Sequence, residues 1–286
     1  MKIAIASGKG GTGKTLVALN LARSYPKSVT LLDCDVEEPN NDLFLKGKLT
    51  ELKRHSVLVP KLKNELCDGC RICQQACQFN AIIVIAGKAM VFDDLCHNCG
   101  ACTLLCPQKA LYEVEHEIGT VTIRQKENVR LVEGRLDVGK ALAVPLIRRV
   151  KSEISLDESP IIIDSPPGTS CPMVWTIGET DLVVLVAEPT AFGLHDLTLA
   201  VETVREVGIG VAVIINKDGL GDNRIEKYCE KEKIPILKKI GFNQKIATTY
   251  AIGEVLVDTD ENYKKLFLDV WEKIEILVKG SRQYEQ

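Results

Sequence analysis

Short continuous apolar runs recur at residues 2–6, 29–32, 129–132, 161–163, 182–187 and 211–215. Between most of them apolar positions return at helical spacing, at 16–23, 139–154, 195–207 and 224–232, with a last helical stretch at 264–278. Uninterrupted apolar runs suit strands covered on both faces. Their alternation with helices makes the sheet mostly parallel. The pattern predicts an α/β domain, a mostly parallel sheet with helices on both faces, broken once.

The break spans roughly residues 64–111 and predicts a small inserted α+β module, leaving 1–63 and 112–286 as one domain. Its halves repeat at an offset of 29 residues. Cys67-x2-Cys70-x2-Cys73-x3-Cys77 is followed by Cys96-x2-Cys99-x2-Cys102-x3-Cys106, and each half ends in an apolar pair, Ala81-Ile82 and Ala110-Leu111. Two such halves can bury each other's apolar face as a pseudo-twofold unit.

Composition narrows the classes. The 286 residues are 45% hydrophobic and 26% charged, with net charge −3, an ordinary globular balance. Without a strong basic excess, no nucleic-acid partner is expected. No apolar run is long enough for a membrane span, and the first eight residues turn polar too soon for a signal peptide. Eight of the eleven cysteines lie between Cys67 and Cys106. In a chain without an export signal such clustering points to metal ligands in a reducing compartment, and so to the cytoplasm.

Gly8-x4-Gly13-Lys14-Thr15 lies between a strand and a helix, the context of a phosphate-binding loop. Gly8, Lys9, Gly10, Gly11, Thr12 and Gly13 would curl the backbone so that its N–H groups face phosphate oxygens. Lys14 would reach the β- and γ-phosphates, and the Thr15 hydroxyl would sit on Mg²⁺. The apolar run 161–163 ends in Asp164, as a Walker B strand does. Gly8-x-Gly10-x-x-Gly13 with Asp33 twenty residues on also fits a dinucleotide fingerprint. Lys14-Thr15 and the acid-tipped strand count against that reading, since neither has a role there. Asp33 and Asp35 could also be strand-end acids on a solvated loop.

Lys9-Gly10-Gly11-Thr12-Gly13-Lys14-Thr15 resembles the deviant Walker A loop of the MinD/ParA/Mrp and nitrogenase-iron-protein class of ATPases, which carries an extra early lysine. Asp33-Cys34-Asp35 resembles switch I, Asp164-Ser165-Pro166-Pro167-Gly168-Thr169 switch II, and Asn216-Lys217 the adenine-contacting position. The resemblance covers nearly all of the chain outside 64–111. It implies ATP/ADP and Mg²⁺ as ligands and a homodimer sandwiching two nucleotides. Lys9 would then contact a phosphate across the dimer, and Asp35 would orient the attacking water. Thr15, Asp164 and Asp33 would serve the magnesium, and Asn216 the base.

The cysteine spacing is that of bacterial ferredoxins with two [4Fe–4S] clusters, in which the fourth cysteine of each motif crosses to the other cluster. Cys67, Cys70, Cys73 and Cys106 are thus assigned to one cluster, and Cys77, Cys96, Cys99 and Cys102 to the other. Pro107 follows the second motif as expected, whereas Gln78 takes its place in the first. A structural zinc site needs only two separated cysteine pairs, so it fits the repeat poorly. Cys34, Cys171 and Cys229 are expected to be small buried residues, although Cys171 follows switch II and could face a dimer partner.

The whole resembles MinD-type ATPases with an inserted ferredoxin domain, and three functions follow. The first is an ATPase whose nucleotide state is coupled to electron transfer toward a protein partner. The second is an assembly or carrier factor for iron–sulfur clusters or metallocofactors, although the chain lacks a further Cys-x2-Cys pair outside the repeat. The third is a MinD/ParA-like regulatory switch. The mixed charges of the last helix suit packing on the sheet better than membrane binding.

Overall fold

The structure is a computed structural model that describes residues 1–154 and 159–283. Among them the chain runs β1 (Lys2–Ala6), α1 (Lys14–Ser24), β2 (Val29–Asp33), α2 (Asn41–Leu45) and β3 (Lys48–Leu62). Through the cysteine repeat come α3 (Ile72–Ala76), β4 (Ile82–Ile85), β5 (Lys88–Val91) and α4 (Ala101–Leu104). Next are β6 (Leu111–Lys126), β7 (Val129–Leu136), α5 (Ala143–Lys151), β8 (Ile161–Asp164), α6 (Cys171–Ile177) and β9 (Leu182–Ala187). The chain closes with α7 (Ala191–Val207), β10 (Val211–Asp218), α8 (Arg224–Lys231), β11 (Ile236–Gly241), α9 (Gln244–Ala251), α10 (Leu256–Thr259) and α11 (Glu261–Gln283).

The strand order is β11-β10-β9-β1-β8-β2-β7-β6-β3, and the strands from β11 to β7 pair in parallel. This is the mostly parallel, helix-covered sheet of a MinD-like P-loop NTPase. Alternation along the strands assigns residues to two cores. Ile3, Ile5, Val184, Val186 and Ile214 face a layer built from α1, α10 and α11, where Phe267, Val270, Trp271 and Ile274 are buried. Ala4, Ala6, Val183, Leu185 and Val213 face α6, α7 and α8 instead. Continuous apolar runs, rather than half-polar ones, are what two covered faces demand. The last helix is tied to α1 by Trp271 Nε1 donating to Leu21 O at 2.9 Å.

The edge of the sheet departs from expectation. β3 and β6 are fifteen and sixteen residues long, in stretches where the apolar pattern predicts no strand. Their burial shows the reason, since both are largely exposed and charged along much of their length. Strands of this kind carry little hydrophobic signal. Thr50 Oγ1 donates to Ile123 O and Lys63 N to Ala110 O, so the two strands run antiparallel. β6 and β7 are joined by only Glu127 and Asn128, with Glu127 at φ 50°, a two-residue hairpin. The helix expected over 139–154 is confined to Ala143–Lys151, after a left-handed Gly139 at φ 86°. α7 begins four residues earlier than its periodicity suggested, because Thr190 Oγ1 accepts from Gly193 N at 2.9 Å as an N-cap.

The chain divides into two compact units. The first comprises residues 1–52, 121–135 and 147–286; the second comprises 53–120 and 136–146, so it contains all of 64–111 and more on either side. The second unit has little conventional core. Cys73 and Cys102 are buried among Ile82, Val84, Ala89 and Leu111, and Cys96 packs with Val59 and Ala81. In the first unit, Phe267→Ala in α11 removes a fully buried ring. It is expected to cost about 3–5 kcal/mol of unfolding free energy, measurable by urea denaturation of the intact chain.

Candidate functional site

The loop between β1 and α1 is shaped by close approaches that exclude side chains. Gly13, at φ 95°, leads into α1, and a Cβ there would lie 2.3 Å from Asn216 Nδ2. That amide donates to Thr12 O at 2.8 Å, so Asn216 braces the loop as well as lining the cavity beside it. At Gly8 a Cβ would lie 2.1 Å from the Asp196 carbonyl oxygen.

Strand register sets the electrostatics beneath the loop. Asp33 is level with Asp164 of β8 on one side and Glu133 of β7 on the other, which puts three carboxyl groups in a row at the strand ends. All three are buried. Burial first, then the charges of Asp164 and Glu133, push the Asp33 carboxyl well above the usual carboxylate range, against the hydrogen bonds of Asn41. Burial and Asp42 likewise push Glu133 up. Asn41 holds the row together, its Nδ2 donating to Asp33 Oδ2 at 2.7 Å and to Asp164 Oδ2 at 2.9 Å. Both amide protons are thereby used.

Lys14 supplies the compensating charge. Its Nζ lies 2.7 Å from Asp35 Oδ2 and 3.6 Å from Asp164 Oδ1. Burial alone would lower the ammonium's pKa, but Asp164 and Asp35 outweigh it and hold Lys14 above its ordinary value. Asp35 is pushed up by burial, with Lys14 opposing. Asp164 Oδ1 is buried without a hydrogen-bond donor, as is Thr12 Oγ1. An unmatched carboxylate oxygen next to Thr15 and the loop suits a hydrated Mg²⁺.

The cavity beside the loop has a volume of ≈ 400 Å³. Gly10, Gly11, Gly13, Lys14, Thr15, Asp35 and Asn216 line one side of it, and Phe242, Asn243, Ile246 and Tyr250 the other. Gly8, Lys9 and Thr12 line a smaller separate pocket, and Asp33 and Asp164 lie buried beneath. Lys9 Nζ is 3.3 Å from Glu188 Oε2. Glu188 also pairs with Lys217, whose Nζ donates to Gly11 O at 3.1 Å. Asn41 and the wall from Phe242 to Tyr250 escaped sequence reasoning. The wall enters through β11 and α9, and of the two β11 is a half-exposed strand with two lysines.

In the second unit, Cys67, Cys70, Cys73 and Cys106 line one cavity, and Cys77, Cys96, Cys99 and Cys102 line another. The backbone repeats with the sequence. Left-handed residues recur 29 apart, Gly69 with Asn98, Arg71 with Gly100 and Asn80 with Lys109. α3 and α4 start at matching positions. Ala81 N donates to Cys77 Sγ and Ala110 N to Cys106 Sγ, both at 3.3 Å. Among the described residues no three His, Cys, Asp or Glu side chains converge on a point that one metal ion could occupy. A four-iron cluster has no such point, because each thiolate binds a different iron, so four cysteines around a cavity suit it better than they suit zinc. All eleven cysteines are unpaired. Cys34 and Cys229 are buried as expected, whereas Cys171 is exposed at the start of α6 and does not belong to the core.

Residues 3–257 match the CbiA family, the CobQ/CobB/MinD/ParA nucleotide binding domain. The chain belongs to this family. An uncharacterized protein of Methanocaldococcus jannaschii is 29% identical over 96% of both chains. An iron-sulfur cluster carrier protein of Pyrococcus abyssi is 24% identical over 96% of this chain and 85% of its own. Among solved structures, the septum site-determining protein MinD of Pyrococcus horikoshii, complexed with Mg-ADP, superimposes with a TM-score of 0.60 at 18% identity, over 96% of this chain and 95% of that one. At that identity the likeness speaks for the fold alone. No helix among the described residues is long and apolar enough to cross a membrane.

For a MinD/ParA-family domain free of nucleotide, the carboxyl row fixes a pH dependence. A raised carboxyl pKa means that the folded state holds its proton more tightly than the unfolded chain does. The stability this contributes is complete below the ordinary carboxylate range and is lost as pH rises through the raised value. The nucleotide-free protein is therefore expected to melt at higher temperature in mildly acidic than in alkaline buffer, as read by calorimetry. Asp33→Asn should flatten that dependence.

Proposed function

We propose that the chain is a magnesium-dependent ATPase carrying two [4Fe–4S] clusters, in which nucleotide state is coupled to electron transfer toward a protein partner. The observation that carries the reading is the division of eight cysteines into two fours, each around its own cavity, with Cys77 and Cys106 crossing between the repeats. The clusters would supply one-electron redox chemistry. Their cysteine ligands also form much of the buried interior of the second unit. Small units with so little apolar core usually depend on a metal group for stability.

The loop residues Gly8 to Gly13 would hold phosphates through backbone N–H groups, with Lys14 on the β- and γ-phosphates. Lys14 is already beside Asp35 and Asp164, so a bound phosphate replaces carboxylates as its partner. Thr15, Asp164 and Asp33 would hold the magnesium and its water shell, and Asp35 would orient the attacking water. Asn216, with the wall from Phe242 to Tyr250, would hold the base. Lys9 would serve a nucleotide across a homodimer and would first have to leave Glu188. The expected compartment is the cytoplasm.

Hydrolysis and redox state are coupled only if ATP binds the oxidised and reduced protein unequally. An EPR-monitored redox titration of anaerobically prepared protein, with and without MgATP, measures this. A shift of about 59 mV corresponds to a tenfold difference in affinity for one electron. A shift of that size is expected; unchanged potentials would defeat the thermodynamic form of the coupling.

The Pyrococcus relative named an iron-sulfur cluster carrier favours a second reading, an ATP-dependent carrier or assembly factor. Transfer of iron and sulfide from the loaded protein to an apo-ferredoxin would support it. In either reading, Lys14→Gln is expected to weaken ATP binding at least about tenfold, because a charge-assisted contact is lost, as measured by isothermal titration calorimetry.

A further inference from the structure

The two cysteine groups match in the features that usually tune a cluster's potential, except for charge. Each receives one backbone N–H to sulfur bond, at Cys77 and at Cys106. Each has one exposed ligand, Cys70 or Cys99, and a buried one at the next motif position, Cys73 or Cys102. Hydrogen bonding and solvent exposure therefore separate them little.

Charge separates them in one direction. Arg71 lines the cavity of Cys67, Cys70, Cys73 and Cys106, and its counterpart 29 residues on is Gly100. Val84 lines the same cavity, and its counterpart Glu113 lines the other. Lys88 Nζ donates to Cys67 O at 2.9 Å and to Asn64 O at 2.6 Å. Its counterpart is Glu117, already paired with Arg54. Asp68 opposes the trend, facing His97 as its counterpart. Its carboxylate accepts from Cys70 N at 3.1 Å and from Gln108 Nε2 at 3.0 Å. Two cations against one anion surround the first group; Glu113 stands without a cation in the cavity of the second.

We propose that this asymmetry orders the two clusters, so that an electron given to the protein rests on the group held by Cys67, Cys70, Cys73 and Cys106. The inference rests on the two-cluster reading. Reduction adds one negative charge, which a nearby cation stabilises and a carboxylate destabilises. The exchange is a one-electron step in which the Cys77/Cys96/Cys99/Cys102 side is oxidised and the other reduced, with no proton or bond change. Arg71, Lys88 and Glu113 are exposed, so salt weakens the ordering. They act as tuning residues, outside the ligand set.

The test uses the intact chain, loaded anaerobically and first analysed for iron and sulfide. Failure to hold two four-iron clusters would overturn the two-cluster reading and the ordering with it. With both present, an EPR-monitored potentiometric titration should resolve two one-electron steps, with the electron distributed at least tenfold in favour of one group, about 59 mV. Glu113→Gln should raise only the lower step. Arg71→Gln and Lys88→Gln should each depress only the upper one, and Lys88→Arg should restore it. Coincident steps in the unmodified protein, or movement of the upper step by Glu113→Gln, would overturn the ordering while leaving both clusters in place.

Discussion

The nucleotide site depends on a repulsion. Parallel pairing of β8, β2 and β7 aligns Asp164, Asp33 and Glu133 across three adjacent strand ends. Three buried carboxyl groups so close cannot all ionise without compensation. Lys14 supplies one positive charge from the first turn of α1, and Asn41 ties two of the carboxyls together. The resulting site holds a cation beside a carboxylate oxygen that has no hydrogen-bond donor. Phosphate and a divalent cation are the natural partners of such a pair, one for Lys14 and the other for Asp164.

The second unit faces the opposite shortage, of apolar mass. Its buried positions include Cys73, Cys96 and Cys102, with short aliphatic neighbours. The loops that present the cysteines are bent through left-handed residues, several of them not glycine. A non-glycine residue in that region costs free energy that local packing must offset. Arg71, Asn80, Asn98 and Lys109 all carry that cost, at positions repeated 29 residues apart. Repetition of strained backbone on both sides of a pseudo-twofold points to a common demand, and eight thiolates around two cavities supply it.

Much of this was legible in the chain. Apolar runs marked β1, β2, β8, β9 and β10 because both faces of those strands are buried, and the glycine loop stood out through Gly13 and Lys14. The long strands β3 and β6 were silent because their exposed, charged positions carry no hydrophobic period. Asn41 was illegible for a different reason, since nothing in a lone asparagine announces that its amide will bridge two acids 8 and 123 residues away. Asn216 was legible as a position and only partly as a role, because its brace on Thr12 depends on how closely β10 approaches the loop.

Lys9 and Lys217 share Glu188 as a partner, and Lys217 also reaches the carbonyl of Gly11. Two cations on one carboxylate cannot both be held at full strength, because each weakens the field felt by the other. Glu188 is kept below its usual range against its own burial, first by Lys217 and then by Lys9. Lys217 also has a backbone acceptor, whereas Lys9 is partly exposed and has only the ion pair. Of the two, Lys9 is the cheaper to release. A second negative charge brought near the loop therefore draws Lys9 away first, while Lys217 keeps the loop anchored to β10.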